Sequence, residues 1–280
     1  MGMMSAASWR SERGQRQRSE GRIRLSVAAA RGRTHLVGLS ESGALRARLP
    51  RVEGSGLEAV LVNTAGGVAC GDVFSIAAEA GEGASLTIAT PAAEKVYRSD
   101  GAMAEVTVRL TVGAGGNLHW LPQETILFDQ ARLTRRYAVD LSSAARFLSF
   151  EAVMFGRAAR GEAMVSGHLS DHWRIRRDGD LVFADAFRLS GSVAALLARP
   201  TVAAGRGALA TCLYVAPDAE ARLEEARALL NDARSECGAS AWNGLLAVRW
   251  LAQDIETLRR DAGSFLIRFR GTPLPRVWGS

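Results

Sequence analysis

The stretch that decides the fold is residues 118–132, LHWLPQETILFDQAR. It joins a strand-like apolar run to two carboxylates, Glu124 and Asp129, which a buried strand carries only where the fold pairs or uses them. Pro122 removes a backbone donor and argues against both a helix and a central strand position, so the segment reads as two short strands bent at Leu121-Pro122. Pleating then sends Glu124, Ile126 and Phe128 to one face and Thr125, Leu127 and Asp129 to the other.

Working outward, the same pattern of turn, short strand, and acid opening a second apolar strand recurs. Gly81-x-Gly83 leads to Leu86 and Glu94, Gly113-x-Gly115 to Leu118 and Glu124, and Ser142-Ser143 to Phe147 and Glu151. A spacing of roughly 30 residues is a repeat-architecture period, and a unit this small cannot bury both its faces alone. The expected fold is therefore mainly β, a β-helix-like body of stacked layers with turns along one rim, and the stacking should bring the acids near one another.

Upstream, residues 1–21 are polar, Arg-rich and aperiodic, and read as a disordered tail. The remainder, 22–280, reads as one domain, β as far as about residue 205. Residues 45–50, 57–62 and 73–79 read as strands, and Arg177-Asp178-Gly179-Asp180 as a hairpin turn. A strand–helix–strand–helix segment over 208–270 completes the domain. Its first helix, 219–234, would be capped by Asp218 and bury Leu223, Ala226, Leu229, Leu230 and Ala233. A single strand over 241–253 and a second helix over 255–270, stopped by Gly271, follow.

Composition bounds the function. Of 280 residues, 48% are apolar, enough for a large core. Cys70, Cys212 and Cys237 lie far apart, which disfavours a disulfide framework and suits a reducing, cytoplasmic setting. No run approaches the roughly 18 apolar residues of a membrane span. The net charge of +6 comes from arginines scattered among acids, with no aromatic-laced basic stripe of a nucleic-acid platform. Gly66 and Gly71 have P-loop spacing, but Asp72 and Val73 stand where Lys and Ser or Thr belong, and a carboxylate there repels phosphate.

The acids Asp72, Glu94, Glu124, Asp129, Glu151 and Glu162 are the candidate metal ligands, with His119 and Cys70 nearby in sequence. Oxygen ligands without a histidine cluster suit weak, transient holding of a divalent ion. The competing reading pairs each acid with an arginine. His168 and His172 share a strand face, yet no third ligand has the right spacing. No Gly-x-Ser-x-Gly elbow or recognised cysteine nucleophile is present. Paired carboxylates, with Tyr97, Trp120 and Trp173 to stack sugar rings, would suit a carbohydrate-active β-solenoid enzyme. A metal-independent β-rich interaction module is a third possibility.

Seven runs, in order, carry a resemblance: NTAGGVACGD (63–72), AAEKVYRS (92–99), LPQETILFD (121–129), FEAVMFGRAARGE (150–162), DHWRIRRDGDLVFAD (171–185), SAWNGLL (240–246) and LPRVW (274–278). Together they resemble the urease accessory protein UreD family, called UreH in some systems, from about Gly21 to Trp278. The resemblance implies a β-helix-like body with two helices and a non-enzymatic role in assembling the urease nickel centre. It implies partners in UreF, the GTPase UreG and apo-urease, no tightly bound cofactor, and transient nickel, for which the six acids are the candidate path residues. Where the family has Gly-Gly-Asp, this chain has Cys70-Gly71-Asp72, so the loop's path depends on whether Cys70 must take a positive φ.

Overall fold

The computed structural model describes residues 18–157 and 160–279. In chain order the strands open with β1 (Glu20–Ala30), β2 (Arg33–Gly43), β3 (Leu45–Arg48) and β4 (Leu57–Asn63). The coiled body follows as β5 (Val73–Ala80), β6 (Ser85–Ala89), β7 (Glu94–Val96), β8 (Ala104–Val112), β9 (Asn117–Leu121) and β10 (Thr125–Leu127). It continues through β11 (Arg132–Leu141), β12 (Arg146–Phe155), β13 (Gly167–Arg177) and β14 (Asp180–Gly191). A short helix α1 (Val193–Leu197), β15 (Ala208–Val215), α2 (Leu223–Leu229), β16 (Glu236–Trp242), β17 (Leu245–Ala252) and α3 (Ile255–Arg270) complete it.

The expected repeat is the organising device. Each coil runs along one sheet, turns, and returns along the other: β5 to β6, β8 to β9, β11 to β12. Strands β1, β5, β8, β11 and β13 pair in parallel in the first sheet, and β4, β6, β9 and β12 in the second. The turns stack by backbone hydrogen bonds, Gly83 N donating to Ala114 O (2.9 Å) and Arg146 N to Gly116 O (2.9 Å). Glycine is required where turns touch: a Cβ on Gly113 would lie 2.8 Å from Glu82 N. Both ends of the stack close with antiparallel pairs. β2 covers β1 and β14 covers β13 in one sheet, while β3 covers β4 and β15 covers β12 in the other. The β13–β14 turn sits on the last coil, Asp178 N donating to Leu141 O (2.8 Å) and Asp178 Oδ1 accepting from Ser143 N (3.0 Å).

Two cores result. One lies between the sheets, around Leu86, Leu110, Leu118 and Phe147; the other lies between the second sheet and α2 and α3, around Phe150, Trp250, Phe265 and Phe269. β12 is covered on both faces, which explains its nearly unbroken apolar sequence. α3 matches its predicted bounds: Asp254 accepts from Thr257 N at 2.7 Å, and Gly271 ends the helix at φ 67°.

Four expectations are corrected. β1 begins at Glu20, inside the stretch read as tail, while residues 1–17 lie outside the described ones. The first of the two predicted helices is short: a 3-10 turn (Glu220–Arg222) leads into α2, and Asp261 accepts from Arg234 N and Ser235 N, holding that end out of the helix. Asp218 does not cap it, because Arg146 and the Tyr214 hydroxyl take its carboxylate. The strand read over 241–253 is a hairpin, since Asn243 (φ 50°) and Gly244 (φ 69°) turn the chain between β16 and β17.

Candidate functional site

The bend at Pro122 sends β10 out of line with β9, so that β7, β10 and the end of β12 form a short third face. Their register does not align the acids as the repeat suggested. Thr125 lies opposite both Glu94 and Val153, which places Glu124 beside Ala152 and one residue out of step with Glu151. One residue reverses the pleat. Glu151 therefore points between the sheets, whereas Glu124 turns outward to Arg259 of α3 (3.2 Å).

Inside, the centre is Arg135, 5% exposed on the inward face of β11. Its guanidinium donates to Asp171 (Nε to Oδ1, 2.8 Å), Glu151 Oε2 (2.9 Å) and Thr125 Oγ1 (2.9 Å). Glu151 also accepts from Trp120 Nε1 (2.7 Å) and the Tyr137 hydroxyl (2.9 Å). Burial alone would disfavour the Arg135 cation, but Asp171, Tyr137 and Glu151 outweigh it and raise its pKa well above the usual range. Burial raises the Glu151 pKa against the pull of Arg135. Two carboxylates thus share one guanidinium.

This cluster is a common wall. On one side lies an interior cavity of about 90 Å³ lined by Asn63, Glu94, Gln123 and Thr125 as well as Arg135 and Glu151. Burial pushes Glu94 up to about 7, against a hydrogen bond from Asn63 that lowers it. Gln123 donates its amide to Val277 O (2.8 Å), and its buried Oε1 has no partner among the described residues. On the other side a hollow of about 640 Å³ lies along β13–β14 and β15–β17, lined by Asp171, Trp173, Asp185 and Arg249. Most of the smaller cavity's wall is apolar, from Leu61, Phe74, Val108 and Leu133 among others, with the polar groups gathered on one part of it.

The remaining candidates hold backbone. Asp72 accepts from Ser19 N and Ala69 N, both at 2.7 Å, closing the glycine loop onto the start of β1. Asp129 accepts from Ser166 N (2.9 Å), and Glu162 accepts from Asp129 N (3.1 Å) while pairing with Arg157. So Glu94 and Glu151 face one cavity, and Asp72, Glu124, Asp129 and Glu162 do not line it. Among the described residues no three His, Cys, Asp or Glu side chains gather into a metal-holding group. His119 is half-buried beside Arg270, and desolvation followed by the Arg270 charge lowers its pKa to about 3. Cys70 donates to Asp100 (2.8 Å); its φ is not positive, Gly71 taking the left-handed turn at φ 78°.

Arg135, Asp171 and Gln123 were missed as site residues. The signal for Arg135 is in the β11 alternation, where it shares parity with Leu133, Tyr137 and Val139. The three aromatics offered for sugar stacking are engaged within the fold. Trp173 stacks on Tyr137 at 3.9 Å, Trp120 binds Glu151, and Tyr97 donates to Gly66 O.

The geometry defines a β-solenoid scaffold whose apolar interior carries one buried charged cluster, Arg135 with Glu151 and Asp171. The family model described as UreD urease accessory protein matches residues 19–279, and the chain belongs to that family. Among curated relatives, the urease accessory protein UreD of Xanthobacter autotrophicus is 69% identical over 99% of both chains. That of Azorhizobium caulinodans is 64% identical over 94% of this chain and 97% of its own, and that of a Methylobacterium species 54% over 94% and 95%. The family is one of accessory proteins rather than catalysts, which displaces the carbohydrate-active reading. No helix of the described residues is long and apolar enough to cross a membrane.

Proposed function

We propose that this protein docks on apo-urease together with UreF and UreG in the cytoplasm and conducts nickel, as cargo, toward the urease active site. The observation that carries the reading is the interior cavity lined by Glu94, Glu151 and Gln123, whose buried amide oxygen has no partner among the described residues. A path must release what it binds, and a few oxygen ligands in a largely apolar wall suit that better than the imidazole or thiolate sites that retain nickel. Asp72, Glu124, Asp129 and Glu162 serve the same path by fixing its walls. The Arg135 guanidinium keeps Glu151 and Asp171 compensated while the cavity is empty of cargo.

The test is nickel per urease active site after co-expression, with complex formation followed by pull-down. Glu94→Gln and Glu151→Gln preserve shape and are expected to retain UreF and urease while lowering nickel content. Glu224→Gln, on the exposed face of α2, is expected to change neither. Full nickel loading by both interior variants would overturn the path and leave a metal-independent interaction module.

A further inference from the structure

The arginines that look scattered in sequence are gathered by the strand register. On the outward face of the first sheet one row across the strands reads Arg24, Ala77, Arg109, Ala138, Arg174, Ala184. The next row adds Arg22 and Arg136, and Arg132, Arg176 and Arg188 lie on the same face. The outward positions of β1, β5, β8, β11, β13 and β14 thus hold eight arginines against four carboxylates, Glu20, Glu79, Glu105 and Asp140. The chain has 35 Lys and Arg against 29 Asp and Glu. Residues 1–17 hold three of the former (Arg10, Arg13, Arg16) and one of the latter (Glu12), leaving an excess of four, which this face alone accounts for.

The row is open as well as charged. Arg24, Arg109 and Arg174 are exposed, and none makes an ion pair or side-chain hydrogen bond among the described residues; on this face only Arg136 is paired, to Glu105 at 3.4 Å. Between Arg24 and Arg109 the small side chain of Ala77 lies in a shallow depression of about 590 Å³. Neighbouring strands are about 4.8 Å apart, so arginines on alternate strands stand about 10 Å apart. Seven residues of α-helix rise about 10.5 Å. A helix lying across the strands, with acids at each seventh position, would set one carboxylate over each guanidinium and its body over the alanines.

We infer that this sheet face is a docking surface for an acidic helical face of a partner protein. The chain's own N-terminal residues do not fit it, being basic themselves. The unpaired arginines repel one another across distances comparable to the screening length, and an acidic partner relieves that repulsion. The surface lies on the far side of the first sheet from the interior cavity, and the inference does not depend on what passes through that cavity.

The probe is a fluorescent 22-residue alanine-based peptide with glutamates at every seventh position and their i+4 neighbours. Anisotropy titrations of the full chain are expected to show binding that weakens as salt rises. Arg24→Gln/Arg109→Gln/Arg174→Gln is expected to weaken it about tenfold, three exposed ion pairs being lost. Glu79→Gln, which removes an acid from the rim of the depression, is expected to tighten it, a gain that no folding defect would produce. Arg199→Gln/Arg227→Gln/Arg268→Gln, matched in charge but off this face, is expected to bind as the parent does. Equal loss in both triple variants, no effect of Glu79→Gln, or tighter binding of a duplex DNA than of the peptide in the same buffer would each overturn the inference.

Discussion

Glu94 is the acid whose titration bears on cargo. Its carboxyl is held at about 7 by burial, with the Asp72 charge adding to the rise. An acid raised from its ordinary 4.5 binds more protons folded than unfolded between those values, so its contribution to stability is fullest at low pH and is lost as pH climbs toward and past 7. Thermal melts from pH 5 to pH 8 are expected to show a fall that Glu94→Gln flattens. A cation must displace that proton, so nickel transfer is expected to decline below pH 7 in the parent and to lose this dependence in the variant. Arg135→Met strands two buried carboxylates and is expected to cost about 3–5 kcal/mol in urea unfolding, a loss partly relieved when Glu151→Gln and Asp171→Asn are added. The six acids were visible in sequence as residue types, but their facing was not, because a one-residue offset between coils decides whether Glu124 looks in or out.

At the level of single elements, legibility followed the strength of local signals. α3 was readable in full because Asp254 and Gly271 mark both its ends with cap chemistry. Asp254→Ala is expected to lower stability by about 1 kcal/mol in chemical denaturation, without changing the unfolding cooperativity. The helix read from residue 219 fell short because Asp261, distant in sequence, captures Arg234 N and Ser235 N. No periodicity within the helix records such a tertiary competitor. The β16–β17 hairpin was legible after all, in Asn243-Gly244, and the apolar run around it masked the turn. β12 shows the converse: a strand covered on both faces loses its alternation and can be told from a buried helix segment only by its length and its place in the repeat.

For the molecule as a whole, the roughly 30-residue period sufficed to foresee stacked coils, and the three-layer arrangement adds what the period could not. The second sheet is buried between the first sheet and the helices, so stability should grade from the middle outward. Amide exchange is expected to be slowest in β12 and β15 and fastest in β2 and β16, which lie at sheet edges. Uniform protection across all four would contradict the layered cores. The arginine face belongs to this scale too, since no local window of sequence brings Arg24, Arg109 and Arg174 together.

The antiparallel strands that close both ends of the coil stack bear on a hazard of all such architectures. A parallel solenoid presents, at each end, a rung ready to template another, and identical chains can then grow head to tail into fibrils. Here β2 and β14 end the first sheet antiparallel, β3 ends the second on one side and β15 reverses it on the other before the β17–β16 hairpin, and the Asp178 turn occupies the place where a further bend would seat. Extension therefore ends after a fixed number of rungs, and the molecule keeps the tight stacking of a filament while remaining a particle of finite size.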